Sequence, residues 1–331
     1  MSDRSRKVAW TLGKGVIIAL ILVLFGWLLS QKLKGLTFAQ LQTALASFPA
    51  WRIALALALT ALNYVILAGY DYLALRYLRH SVRPSQLWFG TIVGYAMSFN
   101  FGWIIGGSTV RYRLYSSWGF TNMEIAKLIG TLTVTFWVGV FAVAGLAFVI
   151  SPLELPQEFL GEGVMRYLPF TTTLPLGIAS LVFVAGYLTL CAAWHKPLRW
   201  GTHEFTPPSL PFSLCQIFVA SLDQFIAAAV FYVLLPDQIR GEMNYLQTVN
   251  IYLLFTAISA LLHIPGGMVV LEKVVLDFIG SEDPAEQAQL AATLIVYRVV
   301  YYFIPLAVGG VMMLIHEWGH TAKQAETKHA D

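Results

Sequence analysis

The sequence predicts an all-α polytopic membrane protein, and three observations carry that prediction. Of its 331 residues 57% are hydrophobic and only 12% are charged, whereas a soluble domain carries about 25% charged residues. Eight apolar segments, centred near residues 20, 65, 97, 138, 183, 223, 256 and 302, each approach the roughly 20 residues that cross hydrocarbon. Beyond residue 316 the chain turns into a polar tail, 317–331, so residues 1–331 read as a single integral membrane domain.

The first segment, Val16 to Leu29, follows Arg4, Arg6 and Lys7 and precedes Gln31, Lys32 and Lys34. It has the basic and apolar parts of a secretory signal without a small-residue cleavage site, and is expected to remain as an anchoring helix. The second segment, around residue 65, reads as an uninterrupted span apart from Asp71. The fourth, fifth, sixth and eighth read as further spans.

The third and seventh segments differ, because glycine and proline interrupt them: "SFNFGWIIGGSTVRYRLY" contains Gly106 and Gly107, and "SALLHIPGGMVVLEKVVL" contains Pro265, Gly266 and Gly267. Breaks of this kind free backbone groups that hydrocarbon cannot satisfy, so these two are expected to be re-entrant broken helices rather than spans. Loop charge agrees. If all eight segments cross, Lys and Arg divide almost evenly between the faces. If the third and seventh turn back, Arg76, Arg79, Arg83, Arg111, Arg113, Lys127, Lys196 and Arg199 join the basic residues of both chain ends on one face. The positive-inside rule makes that face cytoplasmic. Six spans, two re-entrant elements and two cytoplasmic termini are therefore expected.

A repeat fits the same topology. "AKLIGTLTV" from Ala126 is similar to "AQLAATLIV" from Ala288, and each follows a Gly-Gly pair, a later Gly and a helix-capping signal. The caps are Thr121 with Glu124, and Asp283 with Glu286. With three true crossings in each half, 1–150 and 172–316, the second copy is inverted, as in transporters that expose one site alternately to two sides.

Ionisable residues inside apolar segments are costly and point to function or to a specific partner. Asp71, Asp223, Glu272 and Arg298 qualify, with Asp223 the weakest of the four. Arg111 and Arg113 follow the Gly106-Gly107 turn, and guanidinium groups beside a helix start suit a phosphate. Asp71 and Glu272 are expected to balance the arginines when no ligand is bound. Tyr301 and Pro305 lie close to Arg298 in the last helix.

Enzymatic readings are weak. His316, Glu317 and His320 form an H-E-x-x-H match, but no third zinc ligand follows and Gly319 lies between the histidines, so no metal is expected there. Asp71, Asp223 or Glu272 would have to come from another helix. Cys191 and Cys215 lack metal or redox spacing, and the dispersed net charge of +3 argues against nucleic acid. No catalytic residue, cofactor or enzymatic activity is expected.

The elements "YDYLALRYL", "GGSTVRYRLYSSWGF", "HIPGGMVVLE" and "YRVVYYFIPL" resemble the transmembrane, flippase-like family found as the N-terminal half of lysylphosphatidylglycerol synthases and as standalone bacterial inner-membrane proteins of the YbhN type. Val269 departs from that pattern, which usually has Gly there. The resemblance implies lipid translocation in a bacterial inner membrane, with Asp71, Arg111, Arg113, Glu272, Arg298 and Tyr301 at the lipid site. It implies no aminoacyl transfer, since the soluble synthase domain is absent. The expected ligand is a lipid with a phosphate-bearing headgroup. A scaffold that binds lipid and recruits a separate lipid-synthesis enzyme is the alternative, and an intramembrane zinc protease the remote one.

Overall fold

The computed structural model describes residues 38–156, 171–194, 198–200, 203–205, 207–262, 264–267, 270–280 and 283–316. The first apolar segment, Val269, Glu317, His320 and the polar tail lie outside them. The architecture is an all-helical membrane bundle. A two-stranded antiparallel hairpin, β1 (Leu198–Trp200) and β2 (His203–Phe205), is a small addition to the helical reading.

After a short helix α1 (Phe38–Ala46), the first long helix is α2 (Ala50–Tyr77). Next come α3 (Pro84–Phe101), a π-helical turn (Trp103–Ser108) and α4 (Thr109–Ser117). Helices α5 (Asn122–Ile150), α6 (Leu174–Ala193) and α7 (Leu210–Leu234) follow. Beyond the short α8 (Asp237–Glu242) the chain forms α9 (Tyr245–Leu261), a 3₁₀ turn (Pro265–Gly267) and α10 (Val270–Ile279). The last helix, α11, starts at Pro284–Arg298, passes through a π turn at Val299–Phe303 and continues to His316. Five helices, α2, α5, α6, α7 and α11, are long and apolar enough to cross a membrane.

Helices α2 and α7 pack along each other, and α5 lies against both α6 and α7. A Cβ at Gly139 of α5 would come within 2.2 Å of the Ala220 Cβ on α7. Small residues at such crossings let backbones approach where apolar burial alone gives no net attraction.

The third and seventh segments are helical hairpins, and local sequence accounts for both. Gly102 ends α3 at φ 83°, a left-handed conformation that costs glycine little. The returning arm then lies directly on α3: a Cβ at Gly106 would sit 2.1 Å from the Met97 carbonyl oxygen, and one at Gly107 would sit 1.9 Å from Ser98 Oγ. In the second hairpin Gly266 and Gly267 have φ of 63° and 55°, and Gly267 fits against the Phe255 ring of α9. Helices α4 and α10, of 9 and 10 residues, are far short of the roughly 20 a crossing needs.

The hairpins open at opposite ends of the bundle. His80, just past α2, meets Glu124 at 2.9 Å and stacks near Phe120, so both ends of the first hairpin lie beside the C-terminal end of α2. At the other end, Leu153 and Glu154 share a cavity wall with Gln247, Ile279 and Glu286, which places both ends of the second hairpin beside the C-terminal end of α5. Helix, hairpin, helix thus occurs twice, in opposite senses. Thr121 and Glu124 cap α5 reciprocally at 3.3 and 2.8 Å, whereas Asp283 caps α11 by accepting from the Ala285 N–H at 2.9 Å.

Candidate functional site

The two hairpin tips meet at the centre of the bundle. A Cβ at Gly266 would lie 3.4 Å from the Phe99 carbonyl oxygen and 3.5 Å from that of Asn100. Asn100 in turn donates to the Tyr302 carbonyl at 3.1 Å, which ties the end of α3 to the π turn of α11. That turn has a sequence cause: Pro305 supplies no N–H and its ring crowds the preceding turn, so the ladder widens locally.

Each hairpin is pinned to a long helix by a buried ion pair. In the first, Arg111 of α4 meets Asp71 of α2: Nε donates to Oδ1 at 3.3 Å and Nη2 to Oδ2 at 3.2 Å. Both side chains are fully buried. Thr91 and Tyr115 also donate to Asp71, at 3.0 and 3.4 Å. The guanidinium lies over the Tyr95 ring, 4.4 Å from its centroid, in a space left by Gly94, whose Cβ would fall 2.8 Å from Arg111 Cζ. Arg111 Nη1 is buried without a hydrogen-bond partner.

In the second, Arg298 of α11 meets Glu272 of α10. Nη2 donates to Oε1 at 3.0 Å and Oε2 at 3.2 Å, and Nε to Oε1 at 3.2 Å. Arg298 also donates to the Gly266 carbonyl through Nη1 and to the Gly267 carbonyl, at 3.1 Å, through Nη2. One side chain therefore neutralises Glu272 and caps the carbonyls that the broken turn leaves free.

The sequence reading placed Arg111 and Arg113 together at a helix start. The structure separates them: Arg111 is buried and Arg113 is exposed, because residues two apart point to different sides of a helix. The N–H groups of Gly106 and Gly107 are engaged as well, since both donate to the Gly102 carbonyl, at 2.9 and 3.2 Å. The helical turn begins at Trp103, ahead of the Gly106-Gly107 pair. Arg111 and Arg298 occupy separate pairs, one per hairpin.

Beside the tips lies a cavity of about 240 Å³, bounded by α2, α3, α5, α7, α9 and α11. Its walls carry Asp223 and the aromatic rings of Tyr95, Phe99, Trp137, Tyr252 and Tyr301, and among the described residues no Lys or Arg. Asp223 lies near the middle of α7, opposite Asn63 near the middle of α2. Asn63 donates to Asp223 Oδ1 at 2.7 Å, while Tyr70 and Gln224 donate to Oδ2 at 2.8 and 3.1 Å. Tyr301 donates to Asn63 Oδ1 at 2.7 Å. Sequence reasoning ranked Asp223 last and passed over Asn63 and Tyr70. The available signal was an Asp-Gln pair and a lone Asn, each midway along an apolar helix.

No cluster of His, Cys, Asp and Glu among the described residues is arranged to hold a metal ion. His316 stacks on Phe89 with centroids 4.7 Å apart.

This arrangement accompanies a clear sequence relationship. Residues 13–309 match the family described as the lysylphosphatidylglycerol synthase TM region. The chain belongs to this family. It is 37% identical over 271 residues to the uncharacterized protein slr0712 of Synechocystis sp., covering 80% of each chain. It is 28% identical over 309 residues to the inner membrane protein YbhN of Escherichia coli, covering 93% of each. Family members and this chain thus share the region that holds both hairpins, both ion pairs and the cavity.

Proposed function

We propose that this protein moves a polar lipid between the leaflets of a bacterial inner membrane. The observation that carries this reading is the meeting of two hairpins, entered from opposite ends of the bundle, at a largely apolar cavity that holds the Asp223 carboxylate, among helices that can cross a bilayer. Treated as re-entrant elements, the hairpins leave only their tips between the cavity and either face. Displacing one tip opens one side, and displacing the other opens the opposite side. Membership of a family named for the membrane region of a lipid synthase supports a lipid as cargo.

The reading needs binding and movement rather than bond-making. A lipid phosphate reaching the first hairpin would find the unpartnered Nη1 of Arg111 and compete with Asp71 for the guanidinium. The acyl chains stay in hydrocarbon, and both termini face the cytoplasm.

The test is headgroup translocation in proteoliposomes, with fluorescently labelled phospholipids and an impermeant quencher. Native protein is expected to move headgroups well above empty vesicles, and Arg111→Ala and Arg298→Ala to abolish the excess. Native protein that is folded and reconstituted but moves none of the anionic, zwitterionic or cationic lipids tested, with or without imposed ion gradients, refutes the proposal.

A further inference from the structure

The described residues contain three deeply buried carboxylates that belong to this central region, and they are not alike. Asp71 and Glu272 each hold a guanidinium. Asp223 holds none: its hydrogen-bond partners are the Asn63 amide, the Tyr70 hydroxyl and the Gln224 amide. Among the described residues the titratable groups that face it are phenols: Tyr70 from α2, Tyr95 from α3, Tyr252 from α9 and Tyr301 from α11. An ionised carboxylate midway along a membrane helix, 5% exposed and without a counter-charge, is expensive. Taking up one positive charge removes that cost.

We propose that Asp223 is a proton-binding site and that its proton exchanges through the central cavity. The partner set accepts both states. A hydroxyl both donates and accepts, so Tyr70 can donate to the carboxylate and turn to accept from the acid. Asp223 forms part of the cavity wall, and three residues of the same wall, Tyr95, Gln224 and Ser259, each hold a buried side-chain oxygen without a hydrogen-bond partner. The cavity wall is mainly apolar, but at Asp223 and these groups it is roomy enough for water, and water supplies the route for the proton.

The site is also wired to the second hairpin. Asp223 bonds Asn63, Asn63 bonds Tyr301, and Tyr301 lies in the π turn three residues from Arg298, which grips Gly266, Gly267 and Glu272. Protonation weakens the charge-assisted bond from Asn63 and so loosens the anchor of that turn. Resting on the lipid-transport reading above, this coupling makes a proton gradient the driving force for the conformational cycle.

The test reads protonation itself, so it stands apart from any lipid assay. Infrared difference spectra of the full-length protein in lipid are recorded from about pH 5 to about pH 9, the range over which a desolvated carboxyl titrates. A carboxylic-acid carbonyl band that titrates in native protein, is lost in Asp223→Asn and returns with a displaced midpoint in Asp223→Glu is the expected result. Should Asp223→Asn fail to fold, aspartate ¹³C-labelling of native protein, compared with Asp223→Glu, identifies the band. Absence of a titrating aspartate band throughout the range overturns the proposal, as does a midpoint that shifts strongly when sodium replaces a bulky organic cation, which assigns the site to a metal ion. Failure of lipid translocation with the titration intact refutes transport and leaves the proton site standing.

Discussion

Replacing Arg298 with methionine tests how the second hairpin is held. The substitution removes two bonds to backbone carbonyls at the broken turn and three contacts to Glu272, and it leaves that carboxylate buried. Breaking one side of a buried pair costs about 3–5 kcal/mol, mostly from the stranded charge. For a chain of this size that corresponds to a fall in Tm of roughly 4–7 °C. The double variant Arg298→Met with Glu272→Leu removes the stranded charge and retains only the smaller cost of two uncapped carbonyls. It should therefore melt well above Arg298→Met, with a coupling energy of about 2 kcal/mol or more. Tryptophan fluorescence melts in lipid nanodiscs measure both. If the costs of the two single substitutions simply add in the double variant, the two side chains do not act as one neutral unit and the reasoning fails.

Three further outcomes follow from named contacts. Gly107→Ala pushes a methyl group into Ser98 Oγ and should cost about 1–3 kcal/mol, partly restored by Ser98→Ala; Gly130→Ala, with nothing within 4 Å, should cost nothing, and equal melts for the two glycine variants would contradict the hairpin packing. Arg52 and Arg240 bond Asp237, outside the long helices, and hold its carboxyl below the usual range. A lowered folded pKa gives stability that is present above about pH 4 and lost as pH falls through the folded value, so native protein and Asp237→Asn should differ in Tm at neutral pH and converge in acid; a gap that persists in acid speaks against the ion pairs. In a Cys191→Ser, Cys215→Ser background, an impermeant thiol reagent applied to intact cells should label Gln238→Cys and spare Ser117→Cys, since the hairpins open at opposite ends. Strong labelling of Ser117→Cys would mean that the third segment crosses.

Composition and segment length made the helical membrane fold legible, because a bilayer admits few solutions for twenty apolar residues in a row. The glycine and proline breaks marked both segments as interrupted, but while the second turns at Gly266 and Gly267, the first turns at Gly102 rather than at Gly106 and Gly107. What could not be read was which charges meet. Arg111 and Asp71 are 40 positions apart and Arg298 and Glu272 26 apart, and only the return of each hairpin brings them together. The surroundings of Asp223 were hidden for a related reason. Taken one helix at a time it is a single acid in an apolar run, and its hydrogen-bond network is built with Asn63 and Tyr301, 160 and 78 positions away, converging from other helices. Neither π turn was anticipated, although Pro305 gave a local reason for the second.

The two ion pairs are reversed in sense, and this bears on how such a bundle moves. In the first half the arginine sits on the short returning arm and the carboxylate on a long helix; in the second the carboxylate sits on the arm and the arginine on the long helix. Each pair is neutral, so each hairpin is held without net charge in the bilayer. Releasing an arm separates opposite charges in a dry interior, which costs several kcal/mol, and releasing both together costs about twice that. Two states with one arm released are therefore far more accessible than a state with both released. A ligand that replaces one partner lowers the cost at one end only: an anion can stand in for Asp71 at Arg111, and a cation for Arg298 at Glu272. On the transport reading proposed above, the arrangement favours opening one end at a time, which a carrier needs if it is not to become a pore.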